Sequence, residues 1–236
     1  MSVTKWRTVS NNQALAQGGE DEPLFEAPSD PSHMAAEWGF TRSKDGSSET
    51  IYCCHPMDLR QLPYTHIGPR KIESFHGIRT DIPTMIISEC CLCYLDVDKA
   101  QDVVKWFAER IPSLGIILYE PIGVDDSFGQ MMVANLAARN ITMPTLKEYK
   151  TLADQKKRLV DLGFKGEGEE GGQEAETIEN IWNGWIPLTE KERVDRLEGL
   201  DEVEEWQMLA RHYCVAWGWR GQTGWEGWIG LRQQSE

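Results

Sequence analysis

The stretch from Thr84 to Tyr119 constrains this chain more than any other. Thr84–Ser88 (TMIIS) is a compact β-rich run of the kind shown by a strand covered on both faces, and Glu89 stands at its end. Asp96 is placed to cap a helix in which Val97, Val103, Val104, Phe107 and Ala108 share one face, and Pro112 lies beyond its end. Leu114–Tyr119 (LGIILY) reads as a second buried strand closed by Glu120-Pro121. Strand, helix and strand in so short a span make a parallel βαβ unit with a right-handed crossover, hence an α/β fold.

Around this unit the pattern is uneven. Lys5–Ala16 offers a short helix with a thin stripe of Val3, Trp6 and Val9, whereas residues 18–50, rich in Gly, Glu, Asp, Pro and Ser, read as a low-complexity insertion. Thr50–Cys54 is a strand candidate. Downstream, Phe128–Arg139 and Thr145–Leu162 have helical period, residues 163–176 turn acidic and loop-like, and Thr177–Trp185 and Thr189–Arg211 are helical, the latter interrupted near Gly199. His212–Trp219 alternates large side chains as a strand does. The expected division is 1–17 as a residual helix, 18–50 as insertion, 51–219 as the main domain with a helical part, and 220–236 as a tail.

Composition narrows the function classes. The 236 residues carry 38 acidic against 24 basic groups, a formal charge of -14, which disfavours nucleic acid and anionic lipid as partners. No apolar run approaches the roughly 20 residues a bilayer span needs, and residues 1–17 lack a signal-peptide core, so the expectation is a cytoplasmic chain. Cys53, Cys54, Cys90, Cys91, Cys93 and Cys214 sit in apolar runs and read as buried thiols rather than as metal ligands.

Ligands of open parallel sheets bind beyond the carboxyl ends of strands, so polar residues there are the first candidates. Asp58-Leu59-Arg60 follows the Ile51–Cys54 strand, Glu89 follows Met85–Ser88, and Glu120 follows Ile116–Tyr119. A carboxylate in such a place can accept from a ribose or an exocyclic amine; the bland alternative is a cap for the next helix. Nucleophilic catalysis by Cys90, Cys91 or Cys93 has no neighbouring His behind it, and core packing is the better account. No phosphate-binding glycine loop is read: Gly166, Gly168, Gly171 and Gly172 lie in an acidic segment that would repel phosphate.

Several segments, in order, resemble the leucine carboxyl methyltransferases. They are Ile86–Leu95 (IISECCLCYL), Tyr119-Glu120-Pro121 with Asp126-x-Phe128-Gly129-Gln130-Met131-Met132, Asn135-Leu136, Gln155-x-x-Arg158-Leu159, Leu200-Asp201-Glu202 and Arg211-His212-Tyr213-Cys214. The resemblance runs from Asp58 to Trp217. It implies a Rossmann-like methyltransferase fold with additional C-terminal helices. It also implies S-adenosyl-L-methionine as cofactor and, as substrate, the C-terminal leucine carboxylate of the catalytic subunit of type 2A protein phosphatases. Asp58 and Leu59 match the pair that holds the adenine, the Asp by its side chain and the Leu through backbone. Glu89 matches a glutamate lining the cofactor pocket, and Tyr94 a tyrosine near the methyl donor and substrate. Arg211 and His212 match a motif of structural or substrate-side role.

Members of this family carry, ahead of the resembling region, a strand with a glycine-rich turn for the methionine part of the cofactor, then a strand whose acidic residue binds the ribose. Here Val3–Val9 resembles the helix after that second strand. The expectation is therefore an N-terminally truncated sheet, and the rival to an active monomeric methyltransferase is a non-catalytic phosphatase-binding scaffold. A terminal carboxylate, with a pKa near ~3.3–3.7, is already an anion at neutral pH. Its methylation needs alignment and desolvation rather than a general base, with Arg60, Arg139 and Arg211 as candidate cations.

Overall fold

The computed structural model describes residues 2–3, 36–42, 49–54, 58–64, 78–166, 170–197, 202–221, 225 and 227–228. The strands and helices in chain order are β1 (Ser2–Val3), β2 (Ala36–Arg42), β3 (Glu49–Cys54), β4 (Thr84–Glu89), α1 (Val97–Ala108), β5 (Leu114–Pro121), α2 (Ser127–Ala137) and α3 (Leu152–Asp161). They continue with β6 (Gly171–Thr177), α4 (Ile178–Asn180) running into a π-helical turn (Ile181–Trp185), α5 (Leu188–Leu197), α6 (Val203–Arg211) and β7 (Tyr213–Arg220).

The expected βαβ unit is present: β4 and β5 pair in parallel from Thr84↔Leu114 to Glu89↔Tyr119, with α1 as the crossover. They lie in a five-stranded sheet of order β1-β4-β5-β7-β6 whose last two strands are antiparallel to their neighbours, a mixed α/β, Rossmann-like sheet. Asp96 occupies the N-cap of α1 but its side chain makes no capping bond. Real caps appear further on: Asp126 accepts from Gly129 N at the start of α2, and Thr151 and Asp154 form a capping box on α3.

Several expectations are corrected. β4 is not covered on both faces: Ser88 is its one buried residue and Ile87 stays exposed. Val3 is a strand residue rather than the start of a helix; the remainder of the Lys5–Ala16 helix lies outside the described residues. Ala36–Arg42, inside the expected insertion, is a strand that pairs antiparallel with β3, so β3 belongs to a separate ribbon and not to the main sheet. Gly171–Thr177, expected as acidic loop, is β6: it has poor strand propensity, but full pairing with β7 overrides that. The break expected near Gly199 appears as separate helices α5 and α6, whereas Thr145–Leu162, expected as one helix, is a 3₁₀ turn (Pro144–Lys147) followed by α3 from Leu152.

Side-chain alternation along β5 builds two apolar layers. Leu114, Ile116 and Leu118 join Val103, Val104, Phe107 of α1 and Leu159 of α3 in the main core. On the other face Ile117 meets Trp217, Trp219 and Trp225. Trp225 anchors the tail: it is buried, its indole N–H donates to Ser113 Oγ (3.0 Å), and a Cβ on Gly115 would stand 2.4 Å from its ring. Among the described residues no helix is long and apolar enough to cross a membrane.

Gly115→Ala is expected to expel the Trp225 ring and to destabilise the fold by about 1–3 kcal/mol, the usual range for overpacking. Urea denaturation measures it, and in a Trp225→Ala background the same substitution should cost far less, since the colliding ring is gone.

Candidate functional site

The carboxyl ends of β4 and β5 carry a cluster that the sheet register assembles. Glu89 is exposed at the end of β4, and no hydrogen bond or ion pair ties its side chain to another described residue. The chain then turns sharply: Cys90 adopts φ +42° while its N–H donates to Tyr119 O (2.9 Å), and Leu92 N donates to Ser88 Oγ (3.4 Å). A short 3₁₀ turn, Leu92–Tyr94, follows and leaves Tyr94 46% exposed. Across the sheet Tyr119 stacks on Tyr213 at 5.3 Å, the two being diagonal neighbours in the β5–β7 register.

These groups share one electrostatic environment. Partial burial, followed by Cys90 and the neighbouring tyrosines, pushes the Tyr213 phenol up to about 12. Burial first, then Cys90 and Glu89, raises Tyr119; burial and the two thiols Cys93 and Cys90 raise Tyr94. All three phenols are held neutral well past physiological pH, so each can donate a hydrogen bond but none acts as a base there.

Asp58 is placed differently from expectation. The strand before it is outside the main sheet, and its position comes from the Leu59–Tyr64 3₁₀ turn, whose Leu59 and Leu62 are buried in the core that includes α1. Arg60 grips Asp58 bidentately (2.6 Å and 2.9 Å) and holds its carboxyl below the usual range. Arg60 in turn feels Asp96, which places the pair near the start of α1. Asp58 and Glu89 therefore flank the β4–α1 connection; no described hydrogen bond joins them.

Glu120 is corrected outright. It is 1% exposed, turned inward, and paired with Arg158 of α3, itself 2% exposed, at 2.7 Å. The guanidinium also lies 4.5 Å over the Tyr149 ring, and Tyr149 OH accepts from Gln101. This is an internal cross-brace between β5 and α3 rather than a ligand group. Of the candidate cations, Arg60 is committed to Asp58, Arg211 to Glu179 (2.8 Å), and Arg139 is exposed beyond α2. His212 braces Asp126 (2.9 Å) and Met208 O (2.7 Å), and Gly123, at φ +72°, leaves room for its ring.

Tyr119 and Tyr213 were not among the expected site residues. Their signal is visible only in hindsight: Tyr119 lies near the end of β5 and Tyr213 begins β7, and the antiparallel pairing that joins them is not written in either segment. The reading of Cys90, Cys91 and Cys93 as buried core thiols is corrected in part: Cys93 is buried, but Cys90 and Cys91 are only partly so. Cys90 and Cys93 stand at Cys-x-x-Cys spacing, and the influence of Cys93 holds the Cys90 thiol below its ordinary value against burial and the charges of Glu120 and Glu89. Among the described residues no group of three or more His, Cys, Asp or Glu could hold a metal ion.

No family model matches the chain. Among curated proteins, leucine carboxyl methyltransferase 1 of Emericella nidulans is 40% identical over 239 residues, covering 95% of this chain and 60% of that protein. That of Aspergillus fumigatus is 46% identical over 200 residues, covering 77% and 49%. The chain belongs to the leucine carboxyl methyltransferase family. The family resemblance extends to plants: an Arabidopsis thaliana leucine carboxyl methyltransferase 1 homolog is 32% identical over 179 residues, covering 76% of this chain and 51% of that protein. The chain thus spans between about half and three-fifths of these relatives' length.

Two measurements follow. Arg158→Ala strands a buried carboxylate and should cost about 3–5 kcal/mol in urea denaturation. Tyr213 has a folded pKa raised above the ordinary value of about 10, so its contribution to stability is complete below about pH 10 and is lost as pH climbs through about 12. Tyr213→Phe should abolish the highest-pH step of the near-ultraviolet phenol titration and flatten the fall of the urea midpoint in that window.

Proposed function

We propose that this chain carries out S-adenosylmethionine-dependent methylation of a C-terminal leucine carboxylate, on the catalytic subunit of a type 2A protein phosphatase, in the cytoplasm. The supporting observation is the exposed Glu89 at the end of β4, in a chain related to leucine carboxyl methyltransferases.

The residues present fit the cofactor's nucleoside. Glu89 offers both carboxylate oxygens to hydroxyl donors with no ion pair to break. Asp58 is occupied by Arg60, but that pair is exposed, and an exchange of Arg60 for an exocyclic amine costs little, since exposed ion pairs contribute about 0–1 kcal/mol. Leu59 has its side chain in the core and contributes through backbone. Bound S-adenosylmethionine would supply the electrophilic sulfonium methyl. The chain's own part is to align a carboxylate that is already ionised, to keep water out with Tyr94, Tyr119 and Tyr213, and to donate from neutral phenols.

The test is a methyl-transfer assay with phosphatase C-terminal peptides ending in Leu or Ala, reading base-labile methyl ester, alongside calorimetric titration of S-adenosylmethionine. Ester on the Leu peptide alone is expected, reduced about ten- to hundredfold in Glu89→Gln, the cost of losing a hydrogen bond to a charged group. No ester and no heat, with phosphatase binding retained, would sink the enzymatic reading in favour of a non-catalytic scaffold.

A further inference from the structure

The turn after β4 holds chemistry that methyl transfer does not use. Cys90 and Cys93 are separated by two residues, directly after the first strand of a βαβ unit, a placement associated with dithiol redox motifs in reducing compartments. Their exposure differs in the sense such a pair requires. Cys90 is partly exposed, whereas Cys93 is 0% exposed behind it. An attacking thiol must meet its oxidant; a resolving thiol needs only to reach its partner.

The backbone presents Cys90 deliberately. A non-glycine residue at φ +42° is strained and persists only where its surroundings enforce it. Here the Cys90 N–H bond to Tyr119 O and the Leu92 N–H bond to Ser88 Oγ fix both sides of the turn. Cys93 follows within the Leu92–Tyr94 3₁₀ turn, so both thiols belong to one tight turn.

The groups near this pair are Glu89, Glu120, Cys91, Tyr94, Tyr119, Tyr213 and Cys214. The two carboxylates oppose a thiolate and the tyrosines are neutral. The influence of Cys93 lowers Cys90 despite burial and these charges, while Cys90 and burial raise Cys93. The result is one more acidic, partly exposed thiol and one proton-retaining, buried thiol on the same turn, the division of labour of a dithiol couple.

We propose that Cys90 and Cys93 form a redox-active dithiol that closes to an intramolecular disulfide on reaction with a low-molecular-weight disulfide of the glutathione class. The Cys90 thiolate attacks one sulfur of the reagent, forming a mixed disulfide and expelling one thiolate. Cys93 releases its proton to solvent and attacks the Cys90 sulfur, forming the Cys90–Cys93 bond and expelling the second. Two protein thiols are oxidised by two electrons and one small disulfide is reduced to two thiols. The closed ring would clamp the turn between Glu89 and Tyr94. The inference concerns thiol chemistry alone and holds whether or not the chain transfers methyl groups.

The experiment equilibrates the full chain with mixtures of reduced and oxidised glutathione, quenches with acid, blocks free thiols with N-ethylmaleimide and maps the tryptic peptide from Thr80 to Lys99. Oxidised protein should give this peptide with a maleimide on Cys91 only and a link between Cys90 and Cys93, absent in Cys90→Ser. In parallel, iodoacetamide alkylation of Cys90 should titrate below the ordinary thiol value of about 8.5. Cys93→Ala should move that midpoint upward, slowing alkylation at pH 7 about tenfold per unit moved. A link through Cys91, a mixed disulfide that never resolves, or alkylation of wild-type Cys90 with an ordinary thiol midpoint would each overturn the proposal, and none of the three needs a variant to fold.

Discussion

The pleat of β5 is the constraint on which the rest of the molecule depends. Its eight residues pair along their whole length with β7, and the first six pair with β4, so its register is fixed on both sides. Alternate side chains then have no choice of face. One set, Leu114, Ile116, Leu118 and Glu120, is delivered to α1 and α3; the other, Gly115, Ile117 and Tyr119, to the tryptophan layer and the candidate site. A slip of one residue would put Glu120 among the tryptophans and Tyr119 in the core.

That distribution explains why a buried ion pair stands next to a surface cluster. Glu120 and Tyr119 are adjacent in sequence but point to opposite faces, and Arg158 compensates only the first. The Tyr119 backbone carbonyl, meanwhile, accepts from Cys90 and so holds the left-handed turn that carries Glu89, Cys90 and Tyr94. One strand thus supports both the internal brace and the turn where the candidate chemistry is gathered. The tail is a third dependent of β5, since Trp225 seats against Gly115.

Strong local periodicity made part of this legible. The βαβ unit, the α6–β7 region and the separation of α5 from α6 follow from apolar spacing and breakers that act within a few residues. Glu89, at the end of such a segment, was therefore placed correctly. Glu120 occupies the same kind of position and was misread. A strand-end carboxylate faces a ligand or the core according to which face its residue occupies and whether a cation waits there, and Arg158 lies 38 residues away. β6 was hidden for a related reason: Gly171-Gly172 and three acidic or amide residues carry no strand signal, and their pairing is imposed by β7.

The sequence by itself determined the family, the parallel strand–helix–strand unit and the strand-end glutamate, because these rest on contacts between residues near in the chain or on motifs kept in order. Only the tertiary structure decided that Glu120 is a brace, that Asp58 is tethered by Arg60 beside α1 rather than at a sheet edge, and that Tyr119 stacks on Tyr213. The same holds for the unequal burial of Cys90 and Cys93. Those outcomes depend on which strand lies beside which, on burial, and on charges brought together from distant segments, and no local pattern encodes the energy of a contact between residues that meet only after folding.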